Sequence, residues 1–488
     1  MAHSLIVVTI FVALAQGYTT FHTNCTVPNT SANFVSSPGT RGTIDILWSY
    51  LFTILACTWT VQHLNVPEQR EDRDPGWLGD IKWACKRTWK SAQWMFWTAI
   101  VPEMLMSKNM GDLLAVKSDI KRFQELALED GVPWTATHSL FADMGGFVIR
   151  SHVPERSRGF AEAKTSPDSS EPDRESSRTQ DSAESERRKG ISKVESQGIT
   201  TKRSHSNPFH LVARDILALR EAKLLRLPYI TKSELNDKSK SDGLVRFIAV
   251  LQILWTAIQI TVRYSRHLAI FQLEIAVVAF SICAIIIYGL NWEKPKGVQV
   301  PYTLLQFSGQ IPKTILTKTE KDWENSAGIW DWTFEMLMAL LTLGQYKPSK
   351  DALPGSPVPN HSIATELNKS AGIAQVLGLL LGGLVFGSIH VLAWNFVFAS
   401  PIERTLWRVA SILCITMPLL FLVALVLFAV LDKRYHFLRR FLLRSQPFYI
   451  LLYVAGRLFL LMEIFKTLCF LPPSAYVATW ATNIPHIA

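Results

Sequence analysis

Histidine and carboxylate side chains move protons near neutral pH, and this chain holds several of them inside or beside strongly apolar sequence. His138 and Asp143 share the stretch VPWTATHSLFADMGG with Trp134, His63 and Asn65 follow an apolar run, and Glu103 follows Pro102. His390 closes the tetrapeptide GSIH of a glycine-bearing apolar run. His138, Asp143, Glu103 and His390 are therefore the candidate acid–base residues. An ionisable group inside a membrane segment is costly and becomes a functional candidate by default, which adds Glu274, Arg457 and Glu463. Each has an ordinary alternative. His390 can be a packing residue, and Glu274 can pair with Arg263 or Arg266. Arg457 and Glu463 lie about 240° apart around one helix, so Glu463 would meet Lys466 one turn on and Arg457 a carboxylate from another helix.

Other chemistries are missing from the sequence. It has no G-x-x-x-x-G-K-[ST], no G-x-S-x-G, no HExxH and no Asp-rich diphosphate motif. Its six cysteines are scattered and show no metal-ligand spacing. The expectation is chemistry without a metal, nucleotide or other cofactor. A pericyclic closure would ask only for an apolar pocket that fixes a reactive conformer, with one donor on a carbonyl.

The elements that must position these residues are hydrophobic helices. Of 488 residues 48% are apolar and 18% charged, with a net charge of +10, whereas soluble chains carry about 25% charged residues. Residues 1–17 read as a signal peptide followed by the sequons Asn24 and Asn29. A first span covers residues 44–63 and is followed by a cytosolic or interfacial segment, 64–150. Within that segment Ser91–Met106, interrupted by Pro102, suits a helix lying in the interface. Residues 151–205 hold 11 Lys/Arg, 10 Asp/Glu and one aromatic, the composition of a disordered loop. An amphipathic cytosolic region (206–243, with a helix expected over Phe209–Leu227) leads to a membrane domain, 244–488.

In that domain Phe247–Val262 is the weakest span because of Gln252 and Gln259. Leu268–Leu290, Ile373–Phe398, Val409–Leu431 and Phe448–Phe470 are stronger, and Trp332–Leu343 is too short to cross. The glycine pairs 378/382 and 383/387 suit close helix contact. The loop DKRYHFLRRFLLRSQP carries five Lys/Arg, which places it in the cytosol. The fold expected is an all-α polytopic membrane protein with about six spans after the signal peptide and a long cytosolic loop. In this topology Asn360 and Asn368 are cytosolic and unused as sequons. The positive charge is an orientation signal and a lipid contact, not a nucleic-acid footprint.

Longer words carry a resemblance. They are TWTVQHLNVP (Thr58–Pro67), DGVPWTATHSLFADMGGF (Asp130–Phe147), DKSKSD (Asp237–Asp242), NWEKPKGVQVP (Asn291–Pro301) and GSIHVLAWNFVFASPIERTLWR (Gly387–Arg408), with a tail holding Arg457, Glu463 and NIPHI. In these the chain resembles a largely uncharacterised family of fungal multi-span membrane proteins, some associated with terpenoid or polyketide gene clusters. The resemblance implies an enzyme in the endoplasmic reticulum or another endomembrane. It would act on a hydrophobic terpenoid-like substrate as a cyclase or intramolecular Diels–Alder catalyst, in contact with membrane lipid and other pathway enzymes. A transporter, a receptor or a non-catalytic scaffold is the alternative.

Overall fold

The computed structural model describes residues 27–32, 34–36, 40–70, 74–152, 206–240, 243–308, 315, 355–358, 360, 369–430 and 435–479. The signal peptide, Asn24, residues 153–205 of the charged tract, Trp332–Leu343, Asn368 and the NIPHI tail lie outside the described residues. The chain begins with α1 (Thr43–Thr60), α2 (Trp77–Ile100), α3 (Pro102–Asp130), α4 (Ala136–Asp143) and β1 (Phe147–His152). After the tract come β2 (Phe209–Leu211), α5 (Ala213–Glu221), α6 (Lys232–Asp237), α7 (Gly243–Ser265), α8 (Gln272–Leu290) and β3 (Tyr302–Ser308). The last three helices are α9 (Lys369–Val391), α10 (Pro401–Val430) and α11 (His436–Lys466).

Six of these helices, α1 and α7 to α11, are long and apolar enough to cross a membrane. The polarity of α7 shows which solvent surrounds them. Its outward stripe is Leu244, Phe247, Leu251, Leu254 and Ile258, all exposed, while Gln252, Thr256, Gln259 and Arg263 are buried. A helix in water arranges these faces the other way round. An apolar stripe turned outward over a polar one turned inward is what a lipid surround selects. The glutamines that weaken this span in the sequence therefore meet partners inside. Gln252 approaches the Ser49 carbonyl and Gln259 Oε1 accepts from the Tyr50 hydroxyl, each at 3.4 Å. The chain is a polytopic helical membrane protein.

Ser91–Met106, expected as one helix lying in the interface, is instead the turn of a re-entrant hairpin. Pro102 has no N–H and disfavours helical geometry at Val101, so α2 ends at Ile100 and α3 starts at Pro102. The two helices run back to the same side, and three rulers place their tip. Lys90 to Ile100, Glu103 to Asp112 and Phe448 to Arg457 each rise about 14 Å, roughly half the bilayer core. At the tip the Arg457 Nε donates to the Ile100 carbonyl at 2.7 Å. That carbonyl is among those a helix end leaves without a partner, which at membrane depth must be satisfied by protein. The glycine pairs of α9 divide their work. A Cβ on Gly382 would lie 2.5 Å from the Glu103 Cβ, and one on Gly387 would lie 2.5 Å from Ile415 Cγ1. One pair thus seats the hairpin and the other seats α10.

At the end of the spans where the hairpin opens, a second core forms outside the membrane layer. β1 pairs antiparallel with β2 and parallel with β3, in the order β2-β1-β3. Phe123, Trp134, Phe141, Phe147, Phe209 and Ile216 are buried together beneath this sheet. The sheet is an addition to the all-helical expectation, and Phe209–Leu227 is corrected from one helix to a strand followed by α5. Phe209 and His210 pair with β1, the Asp215 carboxylate caps the Val212 N–H at 3.2 Å, and Lys223 at φ 57° ends the helical run.

Candidate functional site

The structure distributes the sequence candidates over three places. His138 is fully buried and both ring nitrogens are occupied. The Thr135 N–H donates to Nδ1 at 3.1 Å, and Nε2–H donates to the Ile230 carbonyl at 2.8 Å. It is a capping residue of α4, with Trp134 stacked on Phe123 beside it. Asp143 Oδ1 accepts the Ala213 N–H at 3.1 Å and so fixes the start of α5. Burial, with the charge of Asp112 added, pushes the Asp143 carboxyl up to about 8.

Glu103 and His390 lie with Arg457 around the hairpin tip, all three buried. Glu103 Oε2 is 3.9 Å from Arg457 Nη2, and the guanidinium stands 3.4 Å from the Phe386 ring centroid. The carboxylate for Arg457 thus comes from another helix. His390 Nδ1–H donates to the Phe386 carbonyl at 2.8 Å, and the Trp407 indole donates to the His390 carbonyl at 3.1 Å. The remaining candidates sit at the opposite end of the spans. Glu274 meets Arg41 at 2.9 Å and Arg263 at 3.7 Å, takes the Tyr50 hydroxyl, and caps the N–H of Phe271. Lys466, expected to meet Glu463, reaches Glu403 at 2.6 Å instead. Glu463 points into the bundle, whereas Lys466 stands at the exposed edge of the same helix.

The largest cavity described lies at the sheet-bearing end, a cleft of about 740 Å³. Trp59 and Gln62 from the end of α1, Arg87 and Lys90 from α2, and Asn65 line it, as do Lys240 and Lys296 from loops. One wall belongs to β2, and there His210 stands. Its Nδ1 is 2.8 Å from the Gly145 carbonyl. A carbonyl only accepts, so Nδ1 carries the proton and Nε2 is left as a bare lone pair. Nε2 is buried and has no hydrogen-bond partner among the described residues. Gly145 can present that carbonyl because its φ is +72°. Burial holds the His210 imidazole below its ordinary value, with Arg150 adding to the effect, so the ring is neutral near pH 7.

The structure therefore separates two histidine roles that the sequence does not. His138 is spent on backbone, and His210, which sequence reasoning missed, lines the cleft with one nitrogen unspent. The signal that pointed here was Asn65, already suspected and also a lining residue. His210 itself fell inside a run read as helical, where it looked like a surface residue. Neither cavity described is lined by His138, and no cluster of possible metal ligands occurs among the described residues.

The model of a family of unknown function, DUF8562, matches residues 13–164 and 204–316, more than half of the chain. The two matched segments carry α1, the hairpin, the sheet, α7 and α8, and all the basic side chains that line the cleft. No curated protein matches the chain, and no solved structure matches it.

Proposed function

The chain belongs to this family of unknown function, DUF8562, and from the geometry of the cleft we propose that it is a membrane-bound enzyme acting on a lipophilic substrate. The carrying observation is His210, a neutral imidazole with a fixed tautomer in the wall of a cleft at the membrane boundary. The volume of about 740 Å³ falls in the range of small-molecule sites. A lipophilic substrate concentrates in the leaflet and reaches this cleft laterally. The cleft wall covers Nε2, and in this reading substrate binding uncovers it. It takes a proton from the substrate while the Gly145 carbonyl holds Nδ1–H and steadies the imidazolium. Returning that proton to a different atom completes an isomerisation or a ring closure. The terpenoid class and a place in fungal specialised metabolism follow from the sequence resemblance. So does an endomembrane location, with the sheet-bearing face in the cytosol. The basic segment after α10 supports that orientation, although Arg439, Arg440 and Arg444, expected in a loop, lie on the first turns of α11.

The test is to express the full chain in microsomes, supply terpenoid and polyketide-derived intermediates, and follow product formation. His210→Asn is expected to lower turnover at least a hundredfold, and unchanged turnover would remove the assignment. A second reading, transport, is favoured by the hairpin tip, because broken helices meeting at mid-bilayer are the substrate sites of many transporters. Flux into vesicles holding the protein, lost on Glu103→Gln, would select it.

A further inference from the structure

The electrostatics of the cleft call for an anion. Three separate stretches of chain bring Arg87 with Lys90, Lys240 and Lys296 to its lining. The one acid among the described lining residues, Glu68, is engaged by Lys86 at 2.8 Å. Arg87 bonds the neutral amide oxygen of Gln299 at 3.0 Å, and the ammonium of Lys296 donates to the Thr60 carbonyl at 2.7 Å. Lys90 and Lys240 form no ion pair among the described residues. Gathering like charges around a concavity is unfavourable unless a counter-ion fills it.

The position selects the kind of anion. Trp59 occupies the last turn of α1, Lys90 stands where α2 enters the membrane layer, and Lys296 follows the end of α8. This is the depth of lipid headgroups, where Trp and basic side chains concentrate. The helices leading into it expose Leu55 and Trp59 on α1, and Trp89 and Phe96 on α2, which is apolar surface suited to acyl chains. A guanidinium and several ammonium groups around one space match the several oxygens of a phosphate better than a lone carboxylate.

We infer that the cleft binds the phosphate headgroup of an anionic lipid, with its chains in the adjoining leaflet. The inference uses the location assigned to the substrate site and is independent of its chemistry. The enzyme's substrate then carries, or displaces, a phosphate at its polar end.

The experiment uses the full-length protein in phosphatidylcholine nanodiscs containing a tenth of brominated dioleoyl phosphatidic acid. Tryptophan quenching and lipid retained on the protein, read by native mass spectrometry, are the two readouts. Phosphatidic acid is expected to quench and be retained at least tenfold more than brominated phosphatidylcholine. The pair Lys90→Gln/Lys240→Gln is expected to remove that preference, and Lys121→Gln on α3 to keep it. No preference in the parent protein, or an equal preference in the double variant, overturns the inference. Displacement by millimolar inorganic phosphate as effectively as by lipid would also overturn it, assigning the cleft to a soluble phosphate. His210→Asn tests only the enzyme reading. Lipid preference without turnover in any assay sinks that reading alone, whereas turnover that survives Lys90→Gln/Lys240→Gln, with lipid preference absent throughout, sinks only this inference.

Discussion

His138 and His210 are both buried on the sheet-bearing side, yet their hydrogen bonds give them opposite chemistry. Both nitrogens of His138 serve backbone groups, so His138→Ala strips two buried partners at once. It is expected to cost about 1–3 kcal/mol of stability while leaving the turnover of the surviving folded fraction intact. His210→Asn should show the reverse pattern, and thermal melts run beside activity assays separate the two. Both imidazoles are held below their ordinary value of 6.5 by burial. The unfolded chain therefore takes up protons first as the pH falls. Stability should be full above about 6.5 and decline on acidification below it. Asp143 runs the other way. Its carboxyl is raised to about 8 from 3.8, so the stability tied to its proton is complete below the unfolded value and lost as pH rises through 8. Asp143→Asn keeps an oxygen for the Ala213 N–H and has no charge to bury. Its melting temperature should match the parent at pH 4 and exceed it increasingly up to pH 8, and an identical profile in both proteins would contradict the assignment.

Among the elements, the hairpin of α2 and α3 depends on contacts that are far apart in sequence. Arg457→Met removes the donor to Ile100 and leaves Glu103 buried without its cation. The expected loss is about 3–5 kcal/mol, and Glu103→Gln combined with Arg457→Met should lose less than Arg457→Met alone. Folded yield in detergent measures both. Gly382→Val would press on the Glu103 backbone at the same seat and should cost about 1–3 kcal/mol as overpacking. The sequence made part of this legible. Pro102 announced a break and the glycine spacing announced two close contacts. What it did not reveal was direction, because a half-polar helix such as α2 reads the same whether it lies on a membrane or dips into it. Only the distant pairing with α9 and α11 distinguishes the two. The sheet was hidden for a related reason, since β2 is three residues long and gains its identity from β1 across the whole charged tract.

At the scale of the molecule the spans divide the chain into two faces. Residues near Asn29 join the Arg41 end, where Ala32 bridges Leu471 and accepts the Tyr476 hydroxyl. Asn360 stands at the sheet-bearing end, where its Oδ1 accepts the Asn65 N–H at 2.7 Å. Glycan mapping in a eukaryotic host is expected to find sugar on Asn29 and none on Asn360, and the opposite pattern would invert the orientation. Most of this architecture was readable from hydropathy, because the bilayer imposes long apolar runs. The site was not, because a cleft walled by six separate stretches leaves no local pattern. The pairing of β1 with β2 has one more consequence. His152 and Ser206 stand side by side, as Asn207 bonds both the N–H and the carbonyl of Ser151. Covalent continuity between them is thus dispensable for recognition. The gene could be divided within codons 153–205, and the two polypeptides, interlocked through sheet, hairpin and Arg457, should co-assemble into one working particle.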